Sequence, residues 1–259
     1  MNFRRMGHIA YNTFREAVRD RVLYNLVFFA LLLVATTPLF GKISIGLERI
    51  VLVNLGLTAI TIFGMMISIF IGIGLVSKEI DKKTLYTVLS RPVRRWEFIL
   101  GKYFGLGLTL LVNTFLMAVG FFAALLYVAH GFTQSDLQLL AALYFILLQF
   151  MVIIAITLFF STFSSPLLSA LFALGLFFIG NFAGELRGVA NMLDGFSRIL
   201  MLGLSYIVPN FTAMNVISQV AHAEGVSTTL LAQNTAYAAL YSAVALCAAI
   251  IIFENRDLK

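Results

Sequence analysis

The sequence predicts an all-α membrane protein of six transmembrane helices preceded by an amphipathic interfacial helix. Three observations carry that prediction. Hydrophobic residues make up 61% of the chain and charged residues 12%, against roughly 45–50% and 25% in ordinary soluble domains. The mean hydropathy is +0.97. The apolar residues are also gathered into long runs, and the 18 Lys and Arg fall mostly between them. That distribution turns the net charge of +6 away from nucleic acid, because basic residues confined to inter-helical segments mark cytoplasmic loops.

Residues 1–21 read as the interfacial helix. At 100° per residue, Phe3, Met6, Ala10, Phe14, Ala17 and Val18 share one arc, and Arg4, Arg5, His8, Asn12, Arg15 and Arg19 the opposite one. A basic face of this kind suits anionic lipid headgroups. The first apolar run, 22–40, is read as an uncleaved span: the basic region before it is long, and LLLVATTPLFG is a poor cleavage site. A span needs roughly 20 apolar residues. The stretches 22–40, 50–76, 99–129, 138–162, 166–184 and 230–253 meet that requirement. The second and third exceed it, so they tilt or project. Segment 185–229 holds an apolar run ending at Pro209 that is too short to span, and it reads as re-entrant or interfacial.

Basic residues orient the chain. With the N-terminus cytoplasmic, 14 of the 18 Lys and Arg lie inside, and only Lys42, Arg49, Arg187 and Arg198 lie outside. Both termini are then cytoplasmic. The spans carry no charge in their central parts, which argues against ion-driven transport, whose working groups are titratable residues at membrane depth. Small residues recur at helical spacing, Gly64, Ser68 and Gly72 in the second span and Gly101, Gly105 and Thr109 in the third, and such stripes let helices approach closely in lipid. Asn54, Asn113, Thr114, Gln149 and Asn181 are available either to bond between helices or to line a path.

Enzyme chemistry has little to stand on. The chain has no G-x-x-x-x-G-K-[ST], G-x-S-x-G or H-E-x-x-H. His8, His130 and His222 are far apart, so no metal cluster is expected. The single cysteine, Cys247, lies in an apolar run and reads as a buried small hydrophobe.

The one densely charged internal segment is SKEIDKKTLYTVLSRPVRRWEFILGKYFG, Ser77 to Gly105. Within it Asp81, Lys82 and Lys83 begin a short helix with Leu85, Val88 and Leu89 on one face. Arg91–Pro92 ends that helix, since the residue before proline leaves the α region. Trp96 falls where an amphipathic ring anchors at the interface, and Lys102 is placed to snorkel toward headgroups. A loop that only fixed topology would need the charge but not the apolar helical face.

This segment resembles the first cytoplasmic loop of ABC-2 type permeases, the membrane subunits of a class of ABC exporters. The likeness runs through Glu79, Thr84, Leu85, Leu89, Ser90, Pro92, Arg95, Trp96, Glu97, Gly101 and Lys102, and departs at Lys83, where the family often has glycine. YIVPNFTAMN before the last span and FENRDL after it extend it. In length the chain is also similar to the permease of the nitrous-oxide-reductase copper-processing transporter. The resemblance implies the type V exporter fold, with 77–98 as the coupling loop and 185–229 as the outer segment. Glu79, Asp81, Lys82, Lys83, Thr84, Leu85, Leu89, Ser90, Arg91 and Pro92 would contact the ATPase. Arg95, Trp96, Glu97 and Lys102 would anchor at the interface, and Pro209, Asn210 and Phe211 would close the outer gate. The implied partners are two cytoplasmic ABC ATPase subunits, which carry ATP and magnesium, a second permease copy, a periplasmic accessory protein and membrane lipid, in a bacterial inner membrane. A scaffold that transmits a signal without moving solute is the alternative. This orientation is checked by labelling: in a Cys247→Ser background, cysteine at Asn191 should react with an impermeant reagent from outside, and labelling from the cytoplasm alone would overturn the six-span layout.

Overall fold

The computed structural model describes residues 3–20, 24, 27–28, 31–32, 35–36, 48–81, 94–129 and 136–255. Every regular element among them is helical. We number the helices α1 (Phe3–Val18), α2 (Glu48–Asp81), α3 (Arg95–Ala129), α4 (Leu137–Ser161), α5 (Pro166–Asn181), α6 (Ala183–Ala190), α7 (Gly195–Ile207), α8 (Ile217–Ala221) and α9 (Thr228–Asn255). Four of them, α2, α3, α4 and α9, are long and apolar enough to cross a membrane. The number rises to six if the bent pairs α5 with α6 and α7 with Thr212–Ala221 each count as one span. The run expected as the first span lies mostly outside the described residues. Its described positions Tyr24, Val27, Phe28, Leu31, Leu32, Ala35 and Thr36 are helical.

Length sets the outline of the bundle. With 34 and 35 residues, α2 and α3 measure about 50 Å at 1.5 Å per residue, well beyond a hydrocarbon layer of about 30 Å. The surplus lies at one end of the bundle, where α2 continues without a break through Ser77 to Asp81. We call this the Arg95 end and the opposite one the Asp136 end. At the Asp136 end, Arg49 at the start of α2 donates to Asp136 Oδ1 at 2.6 Å, directly before α4.

At the centre stands α4. Phe145, Phe150, Val152, Ile154, Ala155 and Leu158 are fully buried, and α2, α3, α5 and α9 all pack around it. Its predominant apolarity follows from that position, since a helix that neighbours cover along most of its length needs no polar face. Against it α2 sets its small residues. A Cβ on Gly64 would overlap the Phe150 ring, and one on Gly72 would come within 3.1 Å of Thr157 Cγ2. Between them Ser68 is buried and returns its hydroxyl to Gly64 O at 2.7 Å, so it adds no unpaired group to the contact.

Against α3, α1 packs in parallel register: Cβ atoms on Gly101 and Gly105 would fall 2.6 Å from Ile9 Cγ2 and from Thr13 Cβ. Its buried side is Thr13 and Ala17, while His8, Asn12, Arg15 and Arg19 are exposed. The amphipathic helix therefore buries one side on α3.

Two sequence expectations change here. The fifth span, expected over 166–184, ends at Asn181 after 16 residues, about 24 Å, and the chain turns by 62° into α6. Cys247 is exposed rather than buried, because Leu246, Ala249 and Phe253 take the inward face of α9 and Cys247 falls about 100° away from Leu246.

Gly64 and Gly74 make a matched test of the close α2–α4 contact. Gly64→Ala should cost about 1–3 kcal/mol through overpacking, seen as a lower melting temperature in detergent. A Cβ on Gly74 meets nothing within 4 Å, so Gly74→Ala should be neutral or stabilising. Equal effects at the two positions would refute the tight contact.

Candidate functional site

Two polar clusters, one at each end of α9, stand out from the apolar packing. At the Arg95 end, the backbone N–H of Arg94 donates to Glu97 Oε2 at 3.2 Å, the reciprocal half of a capping box that starts α3. The guanidinium of Arg95 then reaches the last turn of α9: Nη1 donates to Phe253 O at 2.6 Å and to Glu254 O at 2.8 Å. Carbonyls at a helix C-terminus have no partner within the helix and carry the negative end of its dipole, so a cation suits them. Arg95 also stands 5.8 Å over the Phe253 ring, and Phe98 stacks on the same ring at 5.9 Å. The first turn of α3 and the last turn of α9 are thereby held as one unit.

The structure distributes the residues expected in the charged segment as follows. Glu79 and Asp81 belong to the last turn of α2. Lys82, Lys83, Thr84, Leu85, Leu89, Ser90, Arg91 and Pro92 lie outside the described residues. Arg95 and Trp96 are half-buried and Glu97 is buried. Lys102 does not snorkel outward. It is 2% exposed, with Nζ 5.5 Å over the Phe98 ring one turn earlier, because α3 here is flanked by α1 on one side and the end of α9 on another.

The second cluster surrounds the break after α5. Gly180 O accepts from the Phe211 N–H at 3.1 Å, and Asn181 O accepts from the Thr212 hydroxyl at 2.8 Å. Phe211 is fully buried and meets Phe177 with ring centroids 5.7 Å apart. Gly180 permits the approach, since a Cβ there would fall 2.5 Å from Pro209 O. From the other side, α9 holds the same segment. Asn210 N–H donates to the Tyr237 hydroxyl at 2.9 Å, Tyr241 donates to Ile207 O at 2.9 Å, and Asn234 Nδ2 donates to Ala213 O at 3.2 Å. Pro209, Asn210 and Phe211 thus sit where α5, α7 and α9 converge. The helices α6 and α7 form an antiparallel hairpin beside them, with Arg187 5.4 Å over the Tyr206 ring and Gly184 beside Thr212. Gly195, at φ +65°, makes the turn into α7.

Between the clusters the bundle keeps isolated polar groups. Asn54, Asn113 and Asn181 bond back to carbonyls of their own helices. Thr114 Oγ1, Gln149 Oε1 and Thr157 Oγ1 are buried with no hydrogen-bond partner among the described residues. Among those residues no group of three His, Cys, Asp or Glu could hold a metal ion.

Sequence reasoning missed Asn234, Tyr237 and Tyr241, although their signal was present. They stand at i, i+3 and i+7, one face of a helix, and form a polar stripe in an otherwise apolar span. It also missed Arg95 as a helix cap, because nothing local marks a partner 158 residues away.

Residues 8–258 fit the profile of a family described as ABC-2 family transporter protein. No curated protein matches the chain. The polar stripe of α9 is open to a direct test by hydrogen exchange. Replacing Tyr237 and Tyr241 together by Phe removes two hydrogen bonds worth roughly 0.5–1.5 kcal/mol each. Exchange over residues 205–214 should accelerate about five- to 150-fold, while that of α4 stays unchanged; equal protection in the variant would show that α9 does not hold the segment.

Proposed function

The chain belongs to the ABC-2 family of transporter proteins, and from that premise we propose that it works as the membrane half of an ATP-driven exporter. An ABC-2 permease is a multi-pass membrane subunit without a nucleotide site of its own, and the family implies association with an ABC ATPase. In our reading, two such ATPases bind at the Arg95 end, which is cytoplasmic together with both termini, and ATP with magnesium stays on them. Residues 79–92 form the docking element. The Asp136 end faces outward from a bacterial inner membrane, and a second copy of the chain completes the pathway.

The observation that supports this reading best is the double attachment of α9. One end is tied through Arg95 to the helix that follows the docking segment, and its outward half is tied to the Ile207–Ala213 segment. A displacement of α3 by the ATPase is then carried along a rigid helix to the outer gate. The chain itself supplies two conformations, and ATP biases them through its differential affinity for each. The uncharged spans suit this division, since the driving chemistry needs no titratable group at membrane depth.

Purification with a cognate ABC ATPase tests the proposal. Charge reversal at Lys82, Lys83 and Arg91 should abolish assembly or ATPase stimulation. Arg95→Gln should spare assembly but uncouple hydrolysis from transport, read as a lower ratio of solute moved to ATP hydrolysed. Intact stimulation after the triple reversal would remove 79–92 from the docking role. Stimulated hydrolysis with no solute movement under any condition would favour a signal-transmitting scaffold.

A further inference from the structure

A cavity of about 570 Å³ lies beside the gate segment, between α4, α5, α7 and α9. This volume is within the range of small-molecule sites, about 300–1,000 Å³. Its walls include Phe160 of α4, Leu176 of α5, Ile207 of α7, and Tyr241, Val244 and Ala245 of α9. The hollow exists because α9 places alanines where a larger side chain would fill it. Its wall has two polar atoms in use: the Tyr241 hydroxyl donates to Ile207 O and the Tyr237 hydroxyl accepts from Asn210. A polar solute therefore finds little to replace its hydration inside. Val244 on the wall is also 70% exposed on the outer surface of the bundle, so the cavity opens sideways, toward the region that hydrocarbon occupies in a membrane protein.

The rim has a different character. Tyr206 lines the cavity, and the Arg187 guanidinium sits 5.4 Å over its ring. Arg187 Nε is buried and has no hydrogen-bond partner among the described residues. A guanidinium stacked on a ring that lines a hydrocarbon-walled cavity suits an amphiphile with an anionic head. Phosphate provides both charge and acceptor oxygens for such a guanidinium. We propose that this cavity binds one acyl chain of an anionic membrane phospholipid whose headgroup phosphate is held by Arg187. The site stands apart from ATP coupling and needs only the folded chain.

Native mass spectrometry of the full chain in detergent tests it, with phosphatidylglycerol and phosphatidylcholine of identical acyl chains as probes. Wild type should retain phosphatidylglycerol at activation energies that strip phosphatidylcholine. Arg187→Gln should reduce that preference about tenfold, the size of one charge-assisted hydrogen bond. Ala245→Phe fills the hollow and should lower retention of both lipids. If Ala245→Phe does not fold, phosphatidylglycerol with a photoactivatable acyl chain is applied to wild type instead, and crosslinks should fall at residues 240–248 of α9 and near Leu176. Crosslinks elsewhere, an unchanged preference in Arg187→Gln, or wild-type retention by a folded Ala245→Phe would overturn the proposal. So would an Ala245→Phe variant that breaks a dimer without affecting lipid, which would give the cavity to a second copy.

Discussion

Where α5 stops at Asn181, the carbonyls of its last turn lose their helical partners. The arrangement around the Ile207–Ala213 segment follows from that constraint. Phe211 N–H and the Thr212 hydroxyl reach the freed carbonyls of Gly180 and Asn181, so the segment after α7 must lie against the end of α5. That placement in turn requires a residue without Cβ at position 180. It also frees groups of its own, the N–H of Asn210 and the carbonyls of Ile207 and Ala213. These are met by Tyr237, Tyr241 and Asn234 of α9. A break in a membrane helix is thus tolerated because a second, non-helical segment is built to satisfy it, and a third helix satisfies that segment.

The same logic explains how α9 comes to be bonded at both polar clusters. Its outward half carries the polar stripe, and its last carbonyls, unpaired by geometry, are capped by Arg95 rather than by water. Hydrogen bonds of this kind contribute modestly one at a time but are costly to leave unmade in an apolar setting. They therefore set geometry more than stability, which is what the proposed relay along α9 would require. The central helix α4 contrasts with it, being mostly buried and mostly apolar.

Hydropathy made the long helices legible, because a residue's preference for lipid over water is local. The runs at 50–76, 99–129, 138–162 and 230–253 fall within α2, α3, α4 and α9 or pass them by one residue. The break after Asn181 was not legible. Phe182 is an ordinary apolar residue, and no proline stops the helix; the freed carbonyls are met by partners 31 residues later in the chain. Lys102 was misjudged for a related reason. Sequence places it near a helix start, where lysine commonly reaches outward, but the packing of α1 and α9 around α3 is a tertiary fact. Small residues occupy the middle ground. Their spacing announced close contacts, while the assignment of Gly64 and Gly72 to α4, and of Gly101 and Gly105 to α1, required the fold.

Charge is distributed by the same economy. The described helices keep their ionic groups at the two ends, Arg49 with Asp136 at one and Arg94, Arg95 and Glu97 at the other. A bundle built in this way has few strong interactions at its middle to overcome when helices slide, since dispersion contacts are individually weak. The buried oxygens of Thr114, Gln149 and Thr157, which lack partners among the described residues, are the exceptions. Each would gain a hydrogen bond from a polar guest or a neighbouring helix in a second arrangement, and leaving them unpaired lowers the stability of the present one. Firm polar joints at the ends and an apolar, incompletely satisfied middle are what the proposed two-state mechanism would need of a helix bundle.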